Sequence, residues 1–229
     1  LSMTEMRDAV RTIARAVDVP VVTDGDTGYG NALSARRTLQ EYEWAGAAAV
    51  LFEDQVWPKR CGHMAGKQVV DAAEHAKKIR AAADGKLKES TLLIARTDAR
   101  AVLGLDAAIE RGKLYLDSGA EALFIEAPQS VEELEKIGKS FPDTILIANM
   151  IEGGKTPELT AKDLENLGFD IVFWPCTALY TITRAFRDVM RTLRKEGTTL
   201  SCDKQMLHFT EFNSFIGLDE YDELDKKYK

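Results

Sequence analysis

Hydrophobic and polar positions along this chain alternate between short apolar runs and longer amphipathic stretches. Six near-continuously apolar runs recur, at 19–23, 48–52, 92–95, 122–125, 144–148 and 171–174. Such runs are typical of parallel strands that are buried on both faces. The stretches between them have helical periodicity, as in Val10, Ile13, Ala14 and Val17, which stand at i, i+3, i+4 and i+7. The pattern predicts a chain of alternating β and α units.

Polar residues gather where the predicted strands end. In a barrel the carboxyl ends of all strands meet at one mouth, whereas an open sheet offers a crevice mainly at its switch point. Functional groups on five consecutive strand ends therefore favour a barrel. These residues are Asp24, Asp26, Glu53, Asp54, Arg96, Asp98, Glu126 and Asn149.

The six units are fewer than the eight that close such a barrel. We therefore predict an α/β fold of the (β/α)8 TIM type whose first two strands are absent from the sequence. The whole chain, 1–229, is predicted to form one N-terminally incomplete barrel domain with a helical tail from about residue 177.

Charge balance and cysteine content predict an ordinary acidic, cytoplasmic protein. The formal net charge is −7 and no basic stripe is present, so nucleic acid is not an expected partner. No apolar run approaches the ~20 residues that cross a bilayer, so no membrane association is expected. The three cysteines are widely spaced, and we interpret each as a free thiol.

The run from Asp24 to Asn31 contains two carboxylates one residue apart at a strand end. With Glu53 on the next strand, Asp24 and Asp26 supply the oxygen ligands that magnesium or manganese prefers. An EF-hand is excluded because its sixth position would be Tyr29 instead of glycine. A turn whose aspartates cap the following helix remains an alternative on composition alone.

A cationic loop follows the Glu53 strand, with the sequence Lys59-Arg60-Cys61-Gly62-His63. A cysteine beside cations and a histidine is in a setting that favours thiolate character and proton exchange near neutral pH. A lone cysteine is usually inert, but this loop belongs to the predicted catalytic face, which makes Cys61 a candidate catalytic group.

Arg96 leaves a buried strand, where a guanidinium is unfavourable unless it binds a carboxylate. That carboxylate belongs either to a substrate or to Asp98 or Glu126. Glu126 and Asn149 are likewise either substrate-binding residues or the source of loop-fixing hydrogen bonds, and the sequence leaves both alternatives open.

Four motifs together resemble the isocitrate lyase and phosphoenolpyruvate mutase superfamily. The resemblance runs from Leu1 to about Tyr221, and the combination is far more specific than any one motif. Members are (β/α)8 barrels that bind magnesium and a 2-oxo or 2-hydroxy acid at the mouth. The motifs are Asp24-Gly25-Asp26-Thr27-Gly28-Tyr29-Gly30, Glu53-Asp54-Gln55, Lys59-Arg60-Cys61-Gly62-His63 and Ala95-Arg96-Thr97-Asp98-Ala99.

The resemblance implies a role for each candidate residue. Asp24 would hold Mg²⁺, or Mn²⁺, directly, with Asp26 and Glu53 acting through or beside its waters. Arg96 would bind the substrate and stabilise developing charge, and Cys61 would be the proton donor of the lyase branch. The remaining predicted site residues are Lys59, Gly62 and His63, in a mobile gating loop that contributes to catalysis and substrate binding, and Glu126 and Asn149, which position the substrate.

The cysteine-glycine-histidine loop favours the lyase branch, because phosphonate mutases and hydrolases of the superfamily generally lack it. The implied reaction is a retro-aldol-like cleavage of a malate-like 2-hydroxy acid, of the 2,3-dimethylmalate or 2-methylisocitrate type, to a 2-oxo acid and a carboxylate. Alternatives are an oxaloacetate hydrolase, a carboxyphosphonoenolpyruvate phosphonomutase, or a truncated remnant that binds without catalysis. The resemblance also implies a homo-oligomer, a dimer of dimers that exchange a C-terminal helix.

Two positions depart from the isocitrate and methylisocitrate lyases. Ile151 follows Asn149-Met150, and Tyr180 stands where methylisocitrate lyases have an arginine, so a substrate with a third carboxylate is disfavoured. The run from Asn149 to Pro157 is similar to the branch that contains 2,3-dimethylmalate lyase and the petal-death protein. In the family, the two strands that are missing here supply a substrate loop and another acidic group.

Overall fold

Six parallel strands, hydrogen-bonded to one another in sequence order, form the sheet of this protein. The sheet curls into a half-barrel with helices between its strands, so the predicted α/β fold of the TIM type is confirmed. The strands are β1 (Val22–Asp24), β2 (Ala49–Glu53), β3 (Leu92–Thr97), β4 (Ala122–Ile125), β5 (Ile145–Asn149) and β6 (Ile171–Phe173).

The structure, a computed structural model that describes residues 1–229, divides into two units, 1–175 and 176–229. The first unit holds the sheet with α1 (Met3–Ala16), α2 (Ala32–Ala45), α3 (Ala72–Ala83), α4 (Arg100–Leu103), α5 (Leu105–Asp117), α6 (Val131–Ser140) and α7 (Ala161–Asn166). The second unit is helical and holds α8 (Thr177–Glu196), a 3₁₀ helix (Leu200–Gln205), α9 (Phe209–Phe215) and α10 (Leu218–Tyr228). None of these helices combines the length and the apolar character that crossing a membrane requires.

Side chains alternate between the two faces of the sheet, with a period of two residues. One set packs together on the inner face: Ala49, Leu51, Ile94, Ala122, Phe124 and Ile147. The intervening residues pack against the helices outside: Val50, Phe52, Leu93, Ala95, Leu123, Ile125, Leu146 and Ala148. Two residues beyond the last apolar residue of the inner face, each of the strands β2 to β5 carries a polar residue on the same face at its carboxyl end. The shared mouth of the predicted site therefore follows from strand geometry.

Two sequence predictions near the start of the sheet were wrong in detail. The first strand begins at Val22, not at residue 19, because Val19 is largely exposed and pairing with β2 starts only at Ala49. In α1 the stripe that meets the core is Met3, Met6 and Val10, whereas Ile13 and Val17 are exposed. Because α1 packs on α2, only one edge of the predicted apolar stripe is covered.

Buried His75 makes the stability of the first unit depend on pH. Its ring packs edge-on against Tyr115 with 4.7 Å between ring centroids, and neither ring nitrogen has a hydrogen-bond partner. Burial lowers the pKa of His75 from 6.5 to about 4. In the unfolded chain His75 is therefore protonated below about pH 6.5, whereas in the native state it is protonated only below about pH 4. The free energy of unfolding falls through this window as the pH drops, by roughly 3 kcal/mol in all.

We expect His75→Leu to flatten this acid-side loss of stability, because leucine has no titrating group and fills a similar volume. Urea unfolding of the wild type and the variant, repeated between pH 4 and pH 7.5, measures the difference in slope. His208→Leu is the matched control, since His208 is 69% exposed and its removal should leave the slope unchanged. An equal slope in His75→Leu and the wild type would show that His75 does not carry the effect.

Candidate active site

Three carboxylates and one ammonium meet at the carboxyl ends of β1 and β2. Lys59 Nζ lies 3.1 Å from Asp24 Oδ2, 2.6 Å from Asp26 Oδ1 and 3.4 Å from Glu53 Oε2. Asp24 Oδ1 also accepts a hydrogen bond from the Asp26 amide at 2.8 Å, which fixes the turn. The side chain of Asn31 caps α2, so the alternative in which the aspartates cap that helix is excluded.

The Lys59 ammonium is the cation that these acids surround. With the ammonium among them, the oxygens of the three acids are not arranged to bind one metal ion together. Burial disfavours the charge of Lys59, but the carboxylates of Asp24, Glu53 and Asp26 together raise its pKa. Burial raises the pKa of Glu53 to about 7, against the opposing effect of Arg96 and Lys59. Glu53 Oε1 is buried and has no hydrogen-bond partner.

A second cluster surrounds Glu126, at the ends of β3, β4 and β5. Its Oε1 lies 3.3 Å from His63 Nε2 and 3.8 Å from Arg96 Nη2, and the Asn149 amide donates to the carboxylate at 3.5 Å. Burial opposes the negative charge, but Arg96 and His63 outweigh it and lower the pKa of Glu126. Asn149 Oδ1 is buried without a partner. These predicted substrate-binding residues therefore lie together, with one acceptor atom unused.

Arg96 connects the two clusters. Its Nε lies 3.5 Å from Glu53 Oε2, its register partner on β2, and donates to Asp98 Oδ2 at 2.9 Å. The guanidinium also lies 5.2 Å from the centre of the Phe124 ring. Burial disfavours its charge, but the carboxylates of Glu126, Asp98 and Glu53 hold its pKa well above the usual value. The ion pairs predicted as the alternative to substrate binding are thus present, although Arg96 still lines the cavity described below.

The loop between β2 and α3 lies over this mouth and is closed at its base. Gln55 and Val69 form an antiparallel bridge, and the Val56 amide donates to the Gln68 carbonyl at 2.9 Å. The Gln55 side chain also bonds both backbone groups of Arg60. We call residues 59–66 the gating loop. Its base is held by backbone pairing, and its tip reaches the site.

Gly62 and His63 carry the gating loop into contact with the opposite side of the mouth. A Cβ atom at Gly62 would overlap the Glu126 carboxylate, so the close approach requires glycine. His63 Nδ1 accepts a hydrogen bond from the Lys155 amide at 2.9 Å. His63 therefore joins the gating loop to the loop after β5. Cys61 precedes this contact and is exposed.

A cavity of about 440 Å³ opens on the inner side of the half-barrel between these clusters. Its volume is of the size that small-molecule sites have in proteins. Four polar residues line it, Thr23 and Asp24 from β1, Arg96 from β3 and Asn149 from β5, and the rest of the lining is apolar. The apolar lining includes Val22, Leu51, Phe124, Val172, Phe173 and Trp174.

Sequence reasoning missed the buried residues that support the site from behind. Asp54 faces the helices and accepts hydrogen bonds from Thr97 Oγ1 at 2.7 Å, Arg111 Nη1 at 2.9 Å and Tyr115 OH at 2.8 Å. Lys67, fully buried, pairs with Asp98. A lysine placed directly after the gating loop was the available signal, but charged loop residues are usually solvated.

The fold and the mouth define a class: a protein of the parallel (β/α) barrel type with carboxylates and an arginine at its strand ends, around a small cavity. A family model described as phosphoenolpyruvate phosphomutase matches residues 1–194. The chain is 43% identical over 228 residues to 2,3-dimethylmalate lyase of Eubacterium barkeri, covering 100% of this chain and 78% of that one. It is 46% identical over 232 residues to the chloroplastic carboxyvinyl-carboxyphosphonate phosphorylmutase of Arabidopsis thaliana, covering 100% and 68%.

Solved structures agree with the sequence comparisons. Oxaloacetate acetylhydrolase in complex with the inhibitor 3,3-difluorooxalacetate superposes with a TM-score of 0.92 at 32% identity, covering 100% of this chain and 77% of that one. The chain belongs to the phosphoenolpyruvate mutase/isocitrate lyase superfamily, as its motifs indicated. With close relatives that are named lyases, it is a carbon–carbon lyase of that superfamily.

Proposed function

We propose that this lyase cleaves a malate-like 2-hydroxy acid of the 2,3-dimethylmalate type to a 2-oxo acid and a carboxylate, with Mg²⁺ as its cofactor. One observation carries the proposal: Asp24 and Arg96 line one small cavity, and the cysteine-bearing loop contacts the acids beside it through Lys59 and His63. The similarity to 2,3-dimethylmalate lyase supports the substrate type. The mostly apolar lining suits a substrate with methyl substituents.

The residues at the ends of β1 and β2 would fit a hard divalent cation once the Lys59 ammonium has left them. Their donors are all carboxylate oxygens, Glu53 Oε1 is buried without a partner, and a stand-in cation, the Lys59 ammonium, lies among them. Asp24, with Asp26 and Glu53, would hold Mg²⁺, or Mn²⁺ in its place. A cation bound there would polarise the substrate oxygens and stabilise the charge that develops when the carbon–carbon bond breaks.

The other residues would bind, orient and protonate the substrate. Arg96 has N–H groups beyond the two that bond Asp98, and these would bind a substrate carboxylate or oxo group. Glu126 and Asn149 would position the hydroxyl-bearing carbon. Cys61 would give a proton to the enediolate that the cleavage leaves, and the gating loop, held by Gly62 and His63, would exclude water.

We expect Lys59→Met to strengthen Mg²⁺ binding in the absence of substrate by about tenfold or more, because the ammonium competes for the same three carboxylates. Turnover should fall at the same time, since Lys59 belongs to the gating loop. Titration calorimetry with magnesium chloride measures the affinity. Lys77→Met, an exposed position on α3, is the matched control. Weaker Mg²⁺ binding in Lys59→Met would mean that the lysine assists the site instead of competing with a cation.

A substrate panel tests the proposed reaction against its alternatives. Purified protein with magnesium is offered 2,3-dimethylmalate, other malates, 2-methylisocitrate, oxaloacetate and phosphonopyruvate, and pyruvate, glyoxylate and oxalate are scored. We expect a 2-oxo acid from 2,3-dimethylmalate. Oxalate from oxaloacetate would assign an oxaloacetate hydrolase, and phosphonate rearrangement would assign a mutase. Binding without turnover of any substrate would favour the non-catalytic remnant.

We also propose a cytoplasmic homo-oligomer, a dimer of dimers that exchange a C-terminal helix. The second unit supports this proposal because many of its large apolar side chains are exposed, and such surfaces mark protein contacts. They include Leu179, Ile182, Phe186, Phe209, Phe215 and Tyr221. Light scattering coupled to size-exclusion chromatography is expected to give four times the 25.4 kDa chain mass. A monomer at micromolar concentration would contradict the proposal.

A further inference from the structure

A buried lysine outside the predicted site joins the gating loop to Asp98, which follows β3. Lys67 stands between the gating loop and α3, and only 1% of its side chain is exposed. Its Nζ donates to the Gly62 carbonyl and, at 2.8 Å, to Asp98 Oδ1. A lysine is rarely buried to this extent unless its charge is paired. Both partners of this ammonium are parts of the candidate active site.

Asp98 shares its carboxylate between Lys67 and the substrate-binding arginine. Oδ2 accepts a hydrogen bond from Arg96 Nε at 2.9 Å, and Oδ1 accepts one from Arg96 Nη2 at 3.2 Å. The Asp98 amide donates to Asp54 Oδ1 at 2.9 Å, which anchors its backbone. Burial opposes the charge of Asp98, but Arg96 and Lys67 lower its pKa, so it is ionised between two cations.

Gly62, whose carbonyl accepts the other hydrogen bond of Lys67, determines where the gating loop lies. Its backbone approaches Glu126 so closely that a Cβ atom would overlap the carboxylate. Cys61 and His63 flank this residue. Since the Gly62 carbonyl is held by Lys67, the position of the proposed proton donor depends on the same ammonium that pairs with Asp98.

We propose that Lys67 is a positioning residue that latches the gating loop and couples its closure to the orientation of Arg96. One ammonium holds the Gly62 carbonyl on one side and the carboxylate that orients the guanidinium on the other. The catalytic consequence rests on the proposed function, in which Cys61 and Arg96 act on the same substrate. Geometric coupling of this kind matters because small displacements of catalytic groups reduce rates steeply.

The test replaces Lys67 with methionine, which keeps the length of the side chain and removes the charge and the donors. We expect the Met64 amide, which donates to the Cys61 carbonyl inside the gating loop, to exchange its hydrogen at least about tenfold faster in Lys67→Met, because the released loop opens this turn more often. Hydrogen exchange read by mass spectrometry, with fragmentation to single residues, measures this rate. We expect kcat to fall more than KM rises. The Mg²⁺ affinity should stay unchanged, since Lys67 bonds Gly62 and Asp98 and not the three acids of the cation cluster.

Two variants complete the design. Lys67→Arg keeps the charge and can donate to both partners, so exchange of the Met64 amide and kcat should return towards the wild-type values. Lys77→Met removes an exposed lysine on α3 and should change neither. An unchanged exchange rate of the Met64 amide in folded Lys67→Met would overturn the latch.

Two further measurements cover a Lys67→Met chain that does not fold. Lys67→Gln retains a donor in a shorter side chain and should show intermediate exchange of the Met64 amide. In the wild type this amide should exchange slowly, and exchange at the rate of an unstructured peptide would also overturn the latch. Hydrogen exchange needs no substrate, so a latch that holds in a protein without lyase activity would reject the proposed function alone.

Discussion

Asp24→Ala is expected to abolish magnesium-dependent turnover, with a loss of at least about 10³-fold. Asp24 ends β1 at the mouth, where one carboxylate oxygen fixes the Asp26 turn and the other belongs to the acid cluster. Its removal takes away a cation ligand and loosens the backbone that positions the second aspartate. Magnesium affinity by titration calorimetry and turnover of the best substrate are the two measurements.

Asp18→Ala provides the comparison for this variant, because Asp18 is an exposed aspartate outside the mouth. It should retain both magnesium affinity and turnover. If Asp24→Ala binds magnesium as tightly as the wild type, the cation is held elsewhere, and the assignment of the cluster at the ends of β1 and β2 fails.

Cys61→Ser is expected to lower turnover by roughly 10²–10⁴-fold while the fold and the affinity for the 2-oxo acid product are retained. A serine hydroxyl preserves size and hydrogen bonding but donates a proton far less readily than a thiol. The loss should therefore appear in kcat, with KM almost unchanged. Steady-state kinetics give both values, and circular dichroism checks the fold.

Cys176→Ser serves as the matched change, since Cys176 stands at the start of α8 in the second unit. It should keep its turnover. Full activity of Cys61→Ser on every accepted substrate would remove Cys61 as the proton donor, and the phosphonomutase and binding-protein alternatives would then gain support.

Much of the site was predictable because strand periodicity is local. Five consecutive runs end in polar residues, and the alternation of side chains brings Asp24, Glu53, Arg96, Glu126 and Asn149 to one face of one sheet. The boundaries of β1 and the buried stripe of α1 were less predictable. They depend on where β2 and α2 begin to pack, and neither position is encoded in the residues of β1 or α1 themselves.

The contacts of the gating loop were also not predictable from its motif. Its motif predicted a functional loop, but nothing in the motif indicated that His63 would accept a hydrogen bond from the Lys155 amide, 92 residues away. The motif also did not predict that the Lys59 ammonium would lie among the three acids.

The sequence by itself determined the α/β repeat, the family and the residue types at the mouth, because these follow from local periodicity and from motifs of adjacent residues. Only the tertiary structure decided which charges pair. Lys67 meets Asp98 across 31 residues, and Asp54 meets Arg111 and Tyr115 across 57 and 61. Such pairs form because a charge removed from water must find a partner, and the nearest partner in space is set by how strands and helices pack.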